Sequence, residues 1–183
     1  MSHNFLLNAS FHEALLAIDL EEVNRTRDKA CPHCGGTLHQ AHYPRKGFGI
    51  KAEYAHFYDQ RFSLCCATCR CRVTPPSIRF LFQRRFVSSV FVLISALRQS
   101  ASARHCDVLA RRFGIHVSLS TWRRWRAWWR QLPLSRFWQQ VKSRLPSFIP
   151  QTPLARGLLS QFSGDYLSQR LVLFLRFLSA LSR

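Results

Sequence analysis

The sequence predicts a mostly α-helical protein carrying one small β module near its N-terminus, and three observations predict it. Cysteines and glycines crowd into residues 28–80, where apolar runs are short and read as strands and turns. Before and after that stretch, apolar residues recur at helical spacing. Pro75-Pro76 separates the two regimes, since neither proline can donate to a ladder and the pair resists helix. With 183 residues, 47 % of them hydrophobic and 13 % aromatic, the chain can bury a core, which excludes a disordered tail. The length suits one compact domain or two or three small modules.

Residues 1–27 form the first element, an amphipathic helix running from residue 4 to about 24. Phe5, Leu6, Phe11, Leu15, Ile18 and Val23 fall near a helical repeat with acidic residues between them. Such a helix covers the next module; shielding of the basic half is a second role that the sequence leaves open.

The second element, residues 28–80, contains CPHCGG at 31–36 and CCATCRC at 65–71. CPHC offers two sulfurs across a tight turn, a spacing that lets one Zn²⁺ take both at about 2.3 Å while turn amides hydrogen-bond to the first sulfur. Gly35 and Gly36 follow where the chain must take a positive φ. Among the later cysteines only Cys66 and Cys69 repeat the two-residue gap. In RFSLCC, moreover, Phe62, Leu64 and Cys66 share one strand face, so the face that reaches the core also delivers Cys66. Cys31, Cys34, Cys66 and Cys69 are therefore the expected ligands of one structural zinc, and two such pairs about thirty residues apart make a zinc ribbon. Cys65, Cys71 and Cys106 remain ordinary small thiols, and His33, His39, His42 and His56 surface histidines. A thioredoxin-like redox role for CPHC needs a βαβ context that does not occur here. Four thiolates leave no open coordination position, so the site folds the module and does no catalysis.

Residues 81–132 read as three helical pieces: RRFVSSVFVLISALRQ, then ARHCDVLARRF ended by Gly114, then STWRRWRAWWRQ ended before Pro133. The last two follow the logic of a helix-turn-helix module. Leu109, Ala110 and Phe113 give the first helix an inner face, Gly114 supplies a left-handed break, and Ser118 or Ser120 caps the second helix. Trp122, Trp125 and Trp129 share one face of that second helix, while Arg123, Arg124, Arg126 and Arg130 lie mostly on the others. The tryptophans are expected to pack and the arginines to meet DNA. Ser120, Thr121, Arg123 and Arg124 are the candidates for base edges or nearby phosphates; Arg111, Arg112, Arg126 and Arg130 are the candidates for phosphates.

Residues 133–183 complete the chain as a helical segment broken by Pro146, Pro150, Pro153, Gly157 and Gly164. Its Leu-rich tail is a possible membrane element, but Arg170 and Arg176 leave Leu171 to Leu175 as the longest apolar run, far short of a span. A buried helix, or one serving a protein partner or self-association, is the expectation.

Charge points to the partner. The formal net charge is +18. Residues 1–59 net −1 and residues 60–183 net +19, with Asp107 and Asp165 as the only acids and Lys142 as the only lysine in the second part. Such a charge calls for a polyanion, and arginine forks suit phosphate and guanine edges. The acidic N-terminus lacks a secretory pattern, so a cytoplasmic, nucleoid-associated protein with reduced thiols is expected.

The combination CPxCGG…CxxCRxRxT, followed by LARRFGI and TWRRW, resembles the N-terminal region of bacterial insertion-sequence transposases and their small transposase-like relatives, over about residues 28–131. The resemblance implies recognition of double-stranded DNA at element ends. Two departures accompany it: GIHVSLST is about two residues longer than the usual turn, and a carboxylate triad for two-metal strand transfer cannot be assembled from Asp107 and Asp165. The expectation is therefore a DNA-binding protein without catalytic residues of its own, accessory to transposition, a regulator, or the front part of a longer transposase. Two rivals stay open: an RNA- or ribosome-associated zinc-ribbon protein, and an adaptor recruiting a separate recombinase or nuclease through its Leu-rich tail.

Overall fold

The computed structural model describes residues 8–81, 86–97, 100–141 and 154–180. It is mostly helical with a small antiparallel sheet. Helix α1 spans Ala9–Asp28, four residues beyond the predicted end, and Asn8 caps it by accepting from Ser10 N at 3.0 Å. Phe5 and Leu6 lie outside the described residues. Phe11, Leu15, Asp19 and Val23, each four residues apart, are all buried and form one inward row.

The cysteine-rich stretch folds into strands of two or three residues, as short as its apolar runs. They are β1 (Leu38–Gln40), β2 (Tyr43–Pro44), β3 (Gln60–Arg61), β4 (Leu64–Cys66) and β5 (Arg72–Val73). Strands β1, β4 and β5 make an antiparallel sheet with β4 central; β2 and β3 make a separate pair, and a 3-10 helix at Ala52–Tyr58 links the two.

Then follow α2 (Ser88–Ser95), α3 (Ala103–Phe113), α4 (Leu119–Gln131), α5 (Arg136–Val141), α6 (Leu154–Leu159) and α7 (Leu167–Ala180). Every residue of α2 is buried, which fits its continuous apolar run. The predicted helix from 84 to 99 is shorter at both ends; residues 84, 85, 98 and 99 lie outside the described residues, as do Pro146, Pro150 and Pro153. Gly114 ends α3 with φ +64°, and its N–H bonds back to Ala110 O at 3.0 Å. Of the two serines offered as caps for α4, Ser118 is the one used: its hydroxyl accepts from Thr121 N at 3.2 Å, and α4 begins one residue before Ser120.

Two buried clusters organise the chain. The smaller joins Val23 of α1 to Cys31, Leu38, Phe62, Leu64 and Cys66. The larger gathers Phe11 and Leu15 of α1, Tyr58, the segment Ile78–Leu81, α2, the tryptophans of α4, and α6 and α7. Leu171, Phe174, Leu175 and Leu178 of α7 are buried there, so the apolar face of the Leu-rich tail is used within the chain. Helix α4 packs chiefly on α2, runs into a 3-10 turn at Leu132–Leu134, and touches α6 to a lesser extent. Helix α3 has no fully buried residue; its expected inner face, Leu109, Ala110 and Phe113, is half-buried.

A buried ion pair joins the two clusters. Asp19 of α1 and Arg79 are each 1 % exposed, with Arg79 Nε donating to Asp19 Oδ2 at 2.8 Å. Ser77 Oγ and Ile78 N donate to the same carboxylate at 2.5 and 2.8 Å. The guanidinium also donates to the carbonyls of Phe57 and Gln60 and lies 4.5 Å from the Phe62 ring centroid. One carboxylate thus fixes α1 to the segment that leaves the β module, with its lone pairs satisfied as burial of a charge requires. Nearby, His12 Nδ1 and Tyr58 Oη lie 2.8 Å apart, and burial pushes the Tyr58 hydroxyl well above its ordinary pKa.

Candidate metal centre and basic surface

The two cysteine pairs sit in knuckles with the same backbone wiring. In the first, Cys31 N donates to Gly36 O at 2.9 Å and Gly35 N to Cys31 O at 2.8 Å. In the second, Cys66 N donates to Cys71 O at 3.0 Å and Arg70 N to Cys66 O at 3.1 Å. The fourth residue after each leading cysteine takes a left-handed conformation, Gly35 at φ +71° and Arg70 at φ +60°. Sequence spacing explains this: a C-x-x-C turn closed by those two bonds must reverse at that position, which glycine does without strain and arginine does at some cost. Pairing of Leu38 with Cys66 across β1 and β4 then brings the knuckles face to face.

The sulfurs of Cys31, Cys34, Cys66 and Cys69 all lie within 4.8 Å of one another. Cys31 Sγ to Cys69 Sγ is 3.7 Å and Cys34 Sγ to Cys66 Sγ is 3.5 Å. A tetrahedral ion with metal–sulfur bonds of about 2.3 Å puts its sulfurs roughly 3.8 Å apart, so the four fit a metal ion. Cys31 and Cys66 are buried, while Cys34 and Cys69 face solvent. The N–H of Cys69, with that of Thr68, aims at Cys66 Sγ and pulls its thiol down to about 6 against the opposing effect of burial. Cys69 is pushed the other way: the Cys71 N–H favours its thiolate, but burial and the sulfurs of Cys34, Cys31 and Cys66 outweigh it.

Cys65, Cys71 and Cys106 stay out of the cluster; Cys65 Sγ instead points to Arg70 O at 3.5 Å. His33, His39 and His56 are exposed, and His42 Nδ1 is held between Ser63 O at 3.0 Å and Ser63 N at 3.2 Å.

On α4 the expected division of faces is present as burial. Trp122, Trp125 and Trp129 are buried, with Trp125 set edge-on to Phe91 at 5.4 Å and Trp129 stacked on Phe91 at 5.5 Å. Ser120, Arg123, Arg124 and Arg130 are exposed, as are Arg111 and Arg112 near the end of α3. Arg126 is half-buried. Thr121 departs from this pattern. It is buried, and its hydroxyl accepts from Arg124 Nη2 at 3.1 Å and lies 2.9 Å from Ser118 Oγ, so it orders the start of α4 from within.

Comparison with protein-family models, with curated proteins and with solved structures finds no match. Among the described residues no helix is long and apolar enough to cross a membrane.

Sequence reasoning missed Asp19 and Arg79. A signal for Asp19 was available, because it occupies the i+4 row between Leu15 and Val23, where an acid must be either solvated or paired. No sequence signal located its partner, sixty residues away.

Proposed function

We propose that this chain binds double-stranded DNA through its α3–α4 pair, and that the four cysteines hold one zinc ion that folds the β module beside it. The protein is transposase-like or transposition-associated in this reading and lacks its own catalytic carboxylate triad. The observation that carries it is the division of α4, with its tryptophans in the core and Arg123, Arg124 and Arg130 left to solvent; Arg111 and Arg112 of α3 are exposed as well. Together with a net charge of +18 and a serine-capped helix start after a left-handed glycine, this supports a recognition helix meeting the major groove. In this reading Ser120, Arg123 and Arg124 approach base edges, Arg111, Arg112, Arg126 and Arg130 hold phosphates, and Thr121 positions Arg124. The zinc, bound by Cys31, Cys34, Cys66 and Cys69, supplies folding free energy.

Selection of bound duplexes from a random pool at two salt concentrations tests the reading. An enriched motif and a steep salt slope are expected. Equal or tighter binding to structured RNA, with no enriched duplex motif, overturns it. Metal content of the purified protein, one zinc per chain, tests the other half.

A further inference from the structure

By sequence the first 59 residues carry a net charge of −1, and nothing in them advertises a DNA contact. The fold changes that for one loop, residues 45–51, whose sequence RKGFGIK contains three cations and no acid. Although it belongs to the cysteine-rich stretch, it is seated on the helical half. Phe48 bridges to Phe86, and Val87 N donates to Phe48 O at 3.1 Å. Gly49 lies so close that a Cβ there would come to 3.1 Å of Phe86 Cδ1 and 3.2 Å of Val90 Cγ1. Phe86 in turn stands edge-on to Trp125 of α4 at 5.0 Å. The chain of rings Phe48–Phe86–Trp125 therefore fixes the loop against the inner face of the same helix whose outer face carries the arginines.

The loop ends at Lys51, whose stem crosses the turn between α3 and α4: a Cβ on Gly114 would meet Lys51 Cγ at 3.0 Å and Cε at 3.8 Å. That turn is flanked by exposed Arg112 and His116. The Lys51 side chain keeps 39 % of its exposure, and its ammonium lies 3.5 Å from the carboxylate of Glu53, itself 57 % exposed. An exposed pair of this kind contributes little to stability, so breaking it for a phosphate costs little.

We infer that Lys51 is a phosphate contact of the nucleic-acid surface, delivered to the α3–α4 turn by the β module, with Glu53 as a weak competitor for its ammonium. The inference rests on the duplex-binding reading and extends the site beyond the helical module. A lysine serves such a role as a point charge with a long packed stem.

The test measures duplex affinity of the full-length protein across a salt series for the unaltered chain, Lys51→Gln, Glu53→Gln and, as a charge-matched control at the β-module end of α1, Lys29→Gln. Lys51→Gln is expected to lower the magnitude of the log–log salt slope by about 0.9, one released counterion. Lys29→Gln is expected to leave the slope in place, and Glu53→Gln to tighten binding severalfold. An unchanged slope for Lys51→Gln, or an equal fall for Lys29→Gln, overturns the inference while the duplex reading stands. Absence of salt-dependent duplex binding by the unaltered chain overturns both, and that curve is read first.

Discussion

The β module and the helical half bury their residues on different scales. The cluster in the module comprises Val23, Cys31, Leu38, Phe62, Leu64 and Cys66; two of these are candidate metal ligands and one is lent by α1. The helical cluster is built from large side chains on many elements, with Trp122, Phe91 and Phe174 fully enclosed. A core as small as the first does not hold the two knuckles without a metal or disulfides; the second, into which the module also sends Tyr58, Ile78 and Phe80, has the apolar area of an ordinary small domain. In the proposed reading one region is thus stabilised by ligation and the other by packing. Helix α1 and the Asp19–Arg79 pair tie them together, because Phe11 and Leu15 sit in one cluster and Val23 in the other.

The largest effect that separates the regions is removal of the metal. Chelation, or Cys66→Ser, should release the ion and unfold the β module, a loss on the scale of about 10 kcal/mol of apparent binding free energy. Most of the near-ultraviolet signal of the α4 tryptophans should persist, since Phe91 and Phe174 lie outside the module; the contact of Trp125 with Phe86, which the module's Phe48 touches, is the exception. Cys65→Ser should leave the metal content at one ion; equal loss in both variants would refute the ligand set. Collapse of the tryptophan signal together with the metal would make the two regions a single cooperative unit.

Next in size come two substitutions that the comparison sorts differently. Trp122→Ala should cost about 3–5 kcal/mol in urea denaturation and leave metal content unchanged, because the side chain is wholly within the helical cluster. Asp19→Ala should cost about as much, since it strands a buried guanidinium. Its signature is different: Arg79 also holds the Phe57 and Gln60 carbonyls and covers Phe62, so both regions should lose stability. Replacing both charges by apolar residues should recover much of that loss. Tyr58→Phe should cost less, about 1–2 kcal/mol, as His12 loses a buried hydrogen-bond partner.

These differences also explain what was legible in the sequence. The cysteine pairing could be read because C-x-x-C spacing is a local constraint, and the end of α3 because Gly114 acts within one turn of its own position; the start of α4 stayed open between Ser118 and Ser120, and the fold uses Ser118. The tryptophan face of α4 followed from period alone. What could not be read is long-range. Asp19 and Arg79 look like solvated charges until the fold brings them to 2.8 Å, and the loop at 45–51 belongs by sequence to one region and by contact to the other. The burial of Thr121, expected to face DNA, was likewise not legible from its place on the helix.

The smallest effect on stability should come from the residues proposed to matter most for binding. Arg123→Ala and Arg124→Ala remove exposed side chains from the outer face of α4, so unfolding should shift by no more than about 0.5 kcal/mol. Arg124 should stand at the upper end, because it donates to Thr121 Oγ1 at 3.1 Å. In duplex binding the order reverses. Each substitution should cost about 1–3 kcal/mol at a selected site and much less on random duplex, if these side chains read base edges. A uniform loss on both duplexes, with the salt slope reduced by about 1 per arginine, would instead make them phosphate contacts. The measurement distinguishes a helix that reads sequence from one that only grips the backbone, and it does so in variants whose folded halves are both intact.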